Sequence, residues 1–181
     1  MRHLRESLVL VLALVALGCG DKDGKVGKTG GDEAPTGTLP AELIVTAAPA
    51  DAKDVLAVKK DAKEGDEVTI LGVIGGDVKP FVDKRAVVTL VDKSVPSCKD
   101  NEGDGCPTPW DYCCVPPEEL TAASATVQVL DADGKPLKVG LNAGAKLKPY
   151  DVVVVRGKVG PRVEGNLTIN ATAIYVQGPK N

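Results

Sequence analysis

Apolar positions along the chain change their period several times, and each change marks an element. Residues 8–17 form an unbroken apolar run of ten behind the basic Arg2 and Arg5. A charged start, a short apolar centre and small residues at its end predict a secretory signal over 1–18. The run is too short to cross a bilayer, which takes about 20 residues. Positions 20–38 then show no period at all: six are Gly, seven are charged, and Val26 is the only sizeable apolar one. That predicts a flexible tether over 19–38 with a mean reach of roughly 24 Å.

From Leu39 onward the pattern becomes that of a folded domain, 39–181. Residues 51–60 place Val55, Leu56 and Val58 behind an Asp, which predicts a short helix with an Asp cap. Period two follows. Residues 67–74 alternate loosely and run into Gly72, Gly75 and Gly76, as a curved or bulged strand would. Residues 85–91 give a second strand, and 125–130 a third that closes into a turn at 131–134. Residues 151–158 contain four consecutive valines, so both faces of that strand should be buried. Residues 167–176 alternate as far as Ala173 and then shift phase, the mark of a bulge. Five curved strands and no long helix predict an all-β domain, a small closed barrel with a short N-terminal helix. Twenty-six valines against 3% aromatic residues make its core aliphatic and β-branched.

Composition narrows the chemistry. A chain of 181 residues suits one domain with appendages. The net charge of −3, from 22 basic and 25 acidic side chains, argues against a nucleic-acid partner. His3 and Met1 are the only histidine and methionine, and both fall in the signal. The mature chain therefore excludes Ser-His-Asp and Cys-His catalysis, His-ligated zinc, haem on His or Met, and blue copper.

The signal ends Ala16-Leu17-Gly18-Cys19, which resembles a bacterial lipobox apart from Ala16, where Leu is commoner. The resemblance implies a lipid on Cys19 and a membrane anchor without a spanning helix. Gly20, where Asp would tend to retain the protein at the inner membrane, favours the outer one. With Cys19 lipidated, Cys98, Cys106, Cys113 and Cys114 remain, an even number in an oxidising compartment.

The order of helix, curved strand, Gly-Gly, strand ending in Val91-Asp92 and two late strands resembles the OB-fold. It is similar to the small periplasmic bacterial OB-fold proteins over 65–92 and 151–176, under half of the chain. The CPTPWDYCC segment, 106–114, resembles one in uncharacterised lipoproteins of planctomycete-like bacteria and implies no activity. OB-folds bind oligonucleotides or oligosaccharides on their second and third strands and the flanking loops. Here the charge is acidic, and a long insertion, 93–124, separates those two strands.

That insertion carries all four remaining cysteines and the only Trp. A loop of this length calls for a staple or a function. The spacing C-x₇-C-x₆-C-C predicts disulfides, with Cys113 and Cys114 each joined to Cys98 or Cys106, since joining the adjacent pair would strain the ring. A four-thiolate zinc site and a redox site are the alternatives, although neither paired C-x₂₋₄-C spacing nor C-x-x-C is present. Asp100, Glu102 and Asp104, then Gly105, with Asp111 at the twelfth position, resemble an EF-hand calcium loop without its closing Glu. Trp110 and Tyr112, stiffened by Pro107 and Pro109, are candidate ligand anchors or a small core over the cysteines.

These residues together describe a membrane-tethered, non-catalytic OB-like binding module of the cell envelope, with no cofactor. Its partner would be an envelope polymer or another protein. The alternative is a thiol-redox or metal-handling protein that uses the four cysteines, with zinc or calcium. Carboxylate pairs alone would suffice for a glycosidase, but their spacing is not legible. The acceptor patterns at Asn166 and Asn170 suit a polar strand face better than glycosylation.

Overall fold

The structure, a computed structural model, describes residues 37–180. The signal, Cys19 and nearly all of the tether lie outside the described residues. The first element is a two-residue strand, β1 (Lys53–Asp54), followed at once by helix α1 (Val55–Asp61). Helix α1 buries Val55 and Val58 and ends in Lys59 and Lys60, whose charges suit its C-terminal dipole. Its cap differs from the local Asp cap of the sequence pattern. Asp54 makes no side-chain cap bond; buried Asp92 accepts the Leu56 N–H at 2.8 Å from 36 residues away.

Five longer strands build the barrel: β2 (Glu67–Ile74), β3 (Val87–Val91), β4 (Ser124–Gln128), β5 (Asp151–Val159) and β6 (Leu167–Pro179). Strand β2 pairs antiparallel with β5 from Glu67↔Lys158 to Val73↔Val152, and β5 pairs antiparallel with β6. Strand β6 runs parallel to β4, β4 antiparallel to β3, and β3 returns to β2 through Val73↔Val91 and Ile74↔Leu90. The ring is thus a closed, mixed, OB-like barrel. The cysteine-bearing insertion sits between β3 and β4, not between the second and third strands, because β1 adds a strand that two residues of hydropathy do not reveal.

The barrel interior is aliphatic: Ile70, Leu90, Val127, Val155, Leu167 and Ile169 are almost wholly enclosed. The valines at 152–155 are buried on both faces for a specific reason. Val153 and Val155 face the interior, while Val152 packs outward with Val73, Tyr150 and Trp110 of the insertion. Strand β6 slips register twice, between Ala171 and Ala173 opposite Arg156 and Gly157, and between Val176 and Gly178 opposite Val152 and Val153, so the slips flank the expected phase shift after Ala173. Among the described residues no helix is long and apolar enough to cross a membrane.

Candidate metal centre

The insertion is more ordered than a long loop. It contains two 3₁₀ turns, Cys98–Asp100 and Pro109–Asp111, and a short helix α2 (Pro117–Ala122) with Pro at its start. The first turn is closed by Ser97 and Asp100. The Ser97 N–H and hydroxyl both donate to one Asp100 oxygen, at 2.7 and 2.8 Å. The Ser97 hydroxyl also shares a 2.8 Å hydrogen bond with Tyr150, at the head of β5. Lys180, just beyond β6, donates to the same Asp100 oxygen at 2.6 Å. Local capping and two distant anchors thereby fix Cys98, which is 1% exposed.

The second turn repeats the device. Pro109 opens it, the Thr108 hydroxyl donates to Asp111 at 3.0 Å, and Tyr112 ends it in the left-handed region at φ 57°. That backbone reversal brings Cys113 back toward Cys98, with their sulfurs 3.4 Å apart. The other oxygen of Asp111 accepts the Cys113 N–H at 3.0 Å, and the Cys98 thiol donates to it at 3.3 Å. Cys106 Sγ lies 4.0 Å from the same oxygen. Asp104 is arranged likewise: it accepts the Cys106 N–H at 2.8 Å and the Cys114 thiol at 3.5 Å. Each Asp thus uses one bond to the N–H two residues on, and turns toward a sulfur.

The turn is seated on the barrel through backbone. Gly76 N–H donates to the Trp110 carbonyl at 2.8 Å, and a Cβ on Gly75 would stand 2.5 Å from that oxygen. The two glycines that the sequence suggests as a bulge are the landing place of the insertion.

Electrostatics set the state of the thiols. Burial pushes the Cys98 thiol up, an effect only partly offset by Cys113. The hydrogen bond with Cys98 is the largest of several influences holding Cys113 above the ordinary thiol range. Burial would raise Asp111, yet the Cys113 N–H and the Thr108 hydroxyl outweigh it and keep that carboxyl low. A redox nucleophile requires the opposite, a thiol lowered by positive surroundings.

Cys98, Cys106, Cys113 and Asp111 place their donor atoms all within 4.8 Å of one another, and so do Cys98, Asp104 and Cys114. No two of the four cysteines are at bonding distance: all four are free, and Cys98 and Cys113, one of the expected pairings, stand 3.4 Å apart against about 2.05 Å for a covalent S–S bond. The carboxylates of the calcium-like loop do not converge. Asp100 is spent on Ser97 and Lys180, Glu102 belongs to neither donor set, and Asp104 and Asp111 fall in different sets. Tyr112 is fully buried with Val91, Val95 and Ala123, so it is a core side chain and not a surface anchor. Its hydroxyl has no hydrogen-bond partner among the described residues. Trp110 is half-buried and donates through its indole N–H to the Val78 carbonyl at 3.2 Å. Ser97, Tyr150 and Lys180, which position Cys98, were not among the candidates. Only the capping-box spacing of Ser97 and Asp100 marks any of them in the sequence. A groove of about 540 Å³ beside α1 and β2 involves none of these residues.

No family model and no curated protein matches the chain. Among solved structures it is similar to the hypothetical protein ygiW from E. coli, at 13% identity and a TM-score of 0.37 over 74% of this chain and 95% of that one. It is also similar to an OBody bound to hen egg-white lysozyme, at 16% identity and a TM-score of 0.40 over 75% of this chain and 100% of that one. A third likeness is to the telomere capping protein Ten1 from Saccharomyces pombe, at 13% identity and a TM-score of 0.32 over 72% of this chain and 81% of that one. The OB-like architecture stated above rests on strand order and pairing.

Proposed function

We propose that this protein is a metal-handling binding module of the bacterial cell envelope, non-catalytic in itself. On this reading the barrel is a platform and the insertion holds a soft cation of the zinc or copper(I) class. One observation carries it: three sulfurs and a carboxylate oxygen lie all within 4.8 Å of one another. Zinc with bonds of roughly 2.3 Å to sulfur has tetrahedral edges of about 3.8 Å between thiolates. The Cys98–Cys113 sulfur separation of 3.4 Å lies a little inside that edge, and the Asp111 oxygen stands 3.3 Å from Cys98 Sγ and 4.0 Å from Cys106 Sγ. A donor set rich in sulfur favours such ions over calcium, which takes oxygen ligands.

The lipobox-like ending supplies the rest of the proposal: a lipid on Cys19 anchors the chain, favouring the outer membrane, and the tether lets the barrel move over its surface. Its partners are then the membrane, through that lipid, and the protein or envelope polymer that presents the ion. In an oxidising compartment the same sulfurs form disulfides when no metal holds them, so the two states exclude each other. The test is metal analysis of the full chain extracted from membranes under anaerobic conditions, with thiol alkylation before and after reduction. Bound zinc or copper, with alkylation blocked until a chelator is added, is the expected result. A metal-free protein whose thiols appear only on reduction overturns the metal reading and restores the disulfides.

A further inference from the structure

The two donor sets have one member in common. Cys98, Cys106, Cys113 and Asp111 form one, and Cys98, Asp104 and Cys114 form the other. Among the described residues no set within that distance contains all four sulfurs, so they do not make a single thiolate tetrahedron. Building on the proposed metal reading, we infer that the insertion holds two ions, bridged by the Cys98 thiolate.

Each set is organised separately. Asp111 orients the first, its carboxylate fixed by the Cys113 N–H and the Thr108 hydroxyl. Asp104 orients the second, fixed by the Cys106 N–H, with its other oxygen 3.5 Å from Cys114 Sγ. Cys98 sits where a bridge must sit. It is buried and held by the Ser97 turn, and its sulfur is 3.3 and 3.4 Å from Asp111 and Cys113 of the first set and within 4.8 Å of the donor atoms of Asp104 and Cys114 in the second. A thiolate sulfur keeps lone pairs enough for two metals.

The two positions differ in character. The first has four protein donors, with Cys98 buried, Cys106 and Asp111 partly covered and Cys113 exposed, so its protein ligands complete a tetrahedron as in a structural site. The second has three donors, two of them, Asp104 and Cys114, exposed. Three protein ligands with an open fourth position are the arrangement that admits an incoming ligand. The three-ligand ion is therefore the exchangeable one, and the four-ligand ion is the one that shapes the loop around it.

The test loads the full chain, reduced and anaerobic, with Co²⁺ alone and counts ions per chain after gel filtration. Two per chain are expected in the native sequence. One is expected in Cys114→Ser and in Asp104→Asn, whose exposed positions spare the fold. The bridge is read separately: the cobalt EPR signal should rise through the first equivalent and fall toward the second, because ions sharing a thiolate couple their spins. One ion per chain, unchanged by either substitution, overturns the two-ion inference while leaving the metal reading standing. Two ions whose signals simply add overturn the bridge at Cys98. No ion at all overturns the metal reading itself.

Discussion

The barrel and the insertion are built on opposite principles. In the barrel, β5 and β6 pair along most of their length, and the side chains between strands are aliphatic and almost wholly enclosed. Any β-branched residue of the right volume serves there, and the energy is spread over many contacts. The insertion has only a few buried apolar residues in its main cluster, Val95, Tyr112 and Ala123, packed against Val91 of β3. What fixes its shape is a chain of short-range caps: Ser97 to Asp100, Thr108 to Asp111 and Asp104 to Cys106. A region held this way is exacting about the identity of a few residues and nearly indifferent to its neighbours. The barrel carries stability and the insertion carries geometry.

The largest effect that tests this division is in the barrel. Leu90→Ala, at a wholly buried position on β3, should destabilise the protein by about 2–5 kcal/mol. Cys114→Ser, on the exposed rim of the insertion, should change stability by less than about 0.5 kcal/mol in the metal-free, reduced protein. Urea unfolding of both variants checks the pair. Equal losses would mean that the insertion is part of the same cooperative core.

Metal removal comes next. With free ion at a hundred times its dissociation constant, the bound state should gain about 2.7 kcal/mol over the stripped one for each ion held. The comparison sharpens this into a prediction of place. On chelation, amide protection should fall across 92–124 and stay unchanged in β5 and β6. Uniform loss by hydrogen exchange would show that the insertion and the barrel unfold together.

Gly75→Ala addresses the joint itself and should cost about 1–3 kcal/mol. The new Cβ would meet the Trp110 carbonyl at 2.5 Å and the Tyr112 ring at 2.9 Å, so the second turn must lift from the barrel. Trp110 fluorescence should then shift toward that of an exposed indole, with ion binding weakened and far-ultraviolet dichroism of the barrel retained. Unchanged Trp110 emission would mean that the turn does not rest on this glycine pair.

Legibility follows the same line. Strands β2, β5 and β6 and the valine run could be read because burial repeats with a period that hydropathy records. The cap of α1 by Asp92 could not, since nothing local links residues 36 apart in the chain. Strand β1 is too short to have a period. In the insertion, the cysteines and Asp111 were visible as candidates, but their grouping depends on the left-handed turn at Tyr112 and on landing at Gly75 and Gly76. Four cysteines behind a signal-like start suggest disulfides by counting alone. The free thiols and their shared carboxylates emerge only once the caps have placed them. Tyr112 misled for a related reason: an aromatic beside prolines reads as presented, while its backbone reversal turns the ring inward.

The smallest expected effect concerns the strap between the two regions, Lys180 to Asp100. The Lys180 ammonium, opposed by burial and assisted by the Ser97 N–H and hydroxyl, holds the Asp100 carboxyl at about 2, below its usual 3.8. A carboxyl lowered in the folded state stabilises it fully above the unfolded value. That contribution is lost as pH falls from about 4 through about 2. The Asp100 side chain is 36% exposed, so solvent screening limits the contribution of this ion pair to less than about 1 kcal/mol. Lys180→Met should therefore leave stability at neutral pH almost unchanged while moving the Asp100 titration, followed by carboxyl NMR, upward toward the ordinary range. It should also loosen the Cys98 turn, seen as faster alkylation of that buried thiol in the metal-free protein. An unmoved Asp100 titration would mean that the Ser97 cap alone sets it, and that the strap from the barrel's last strand does not tension the site.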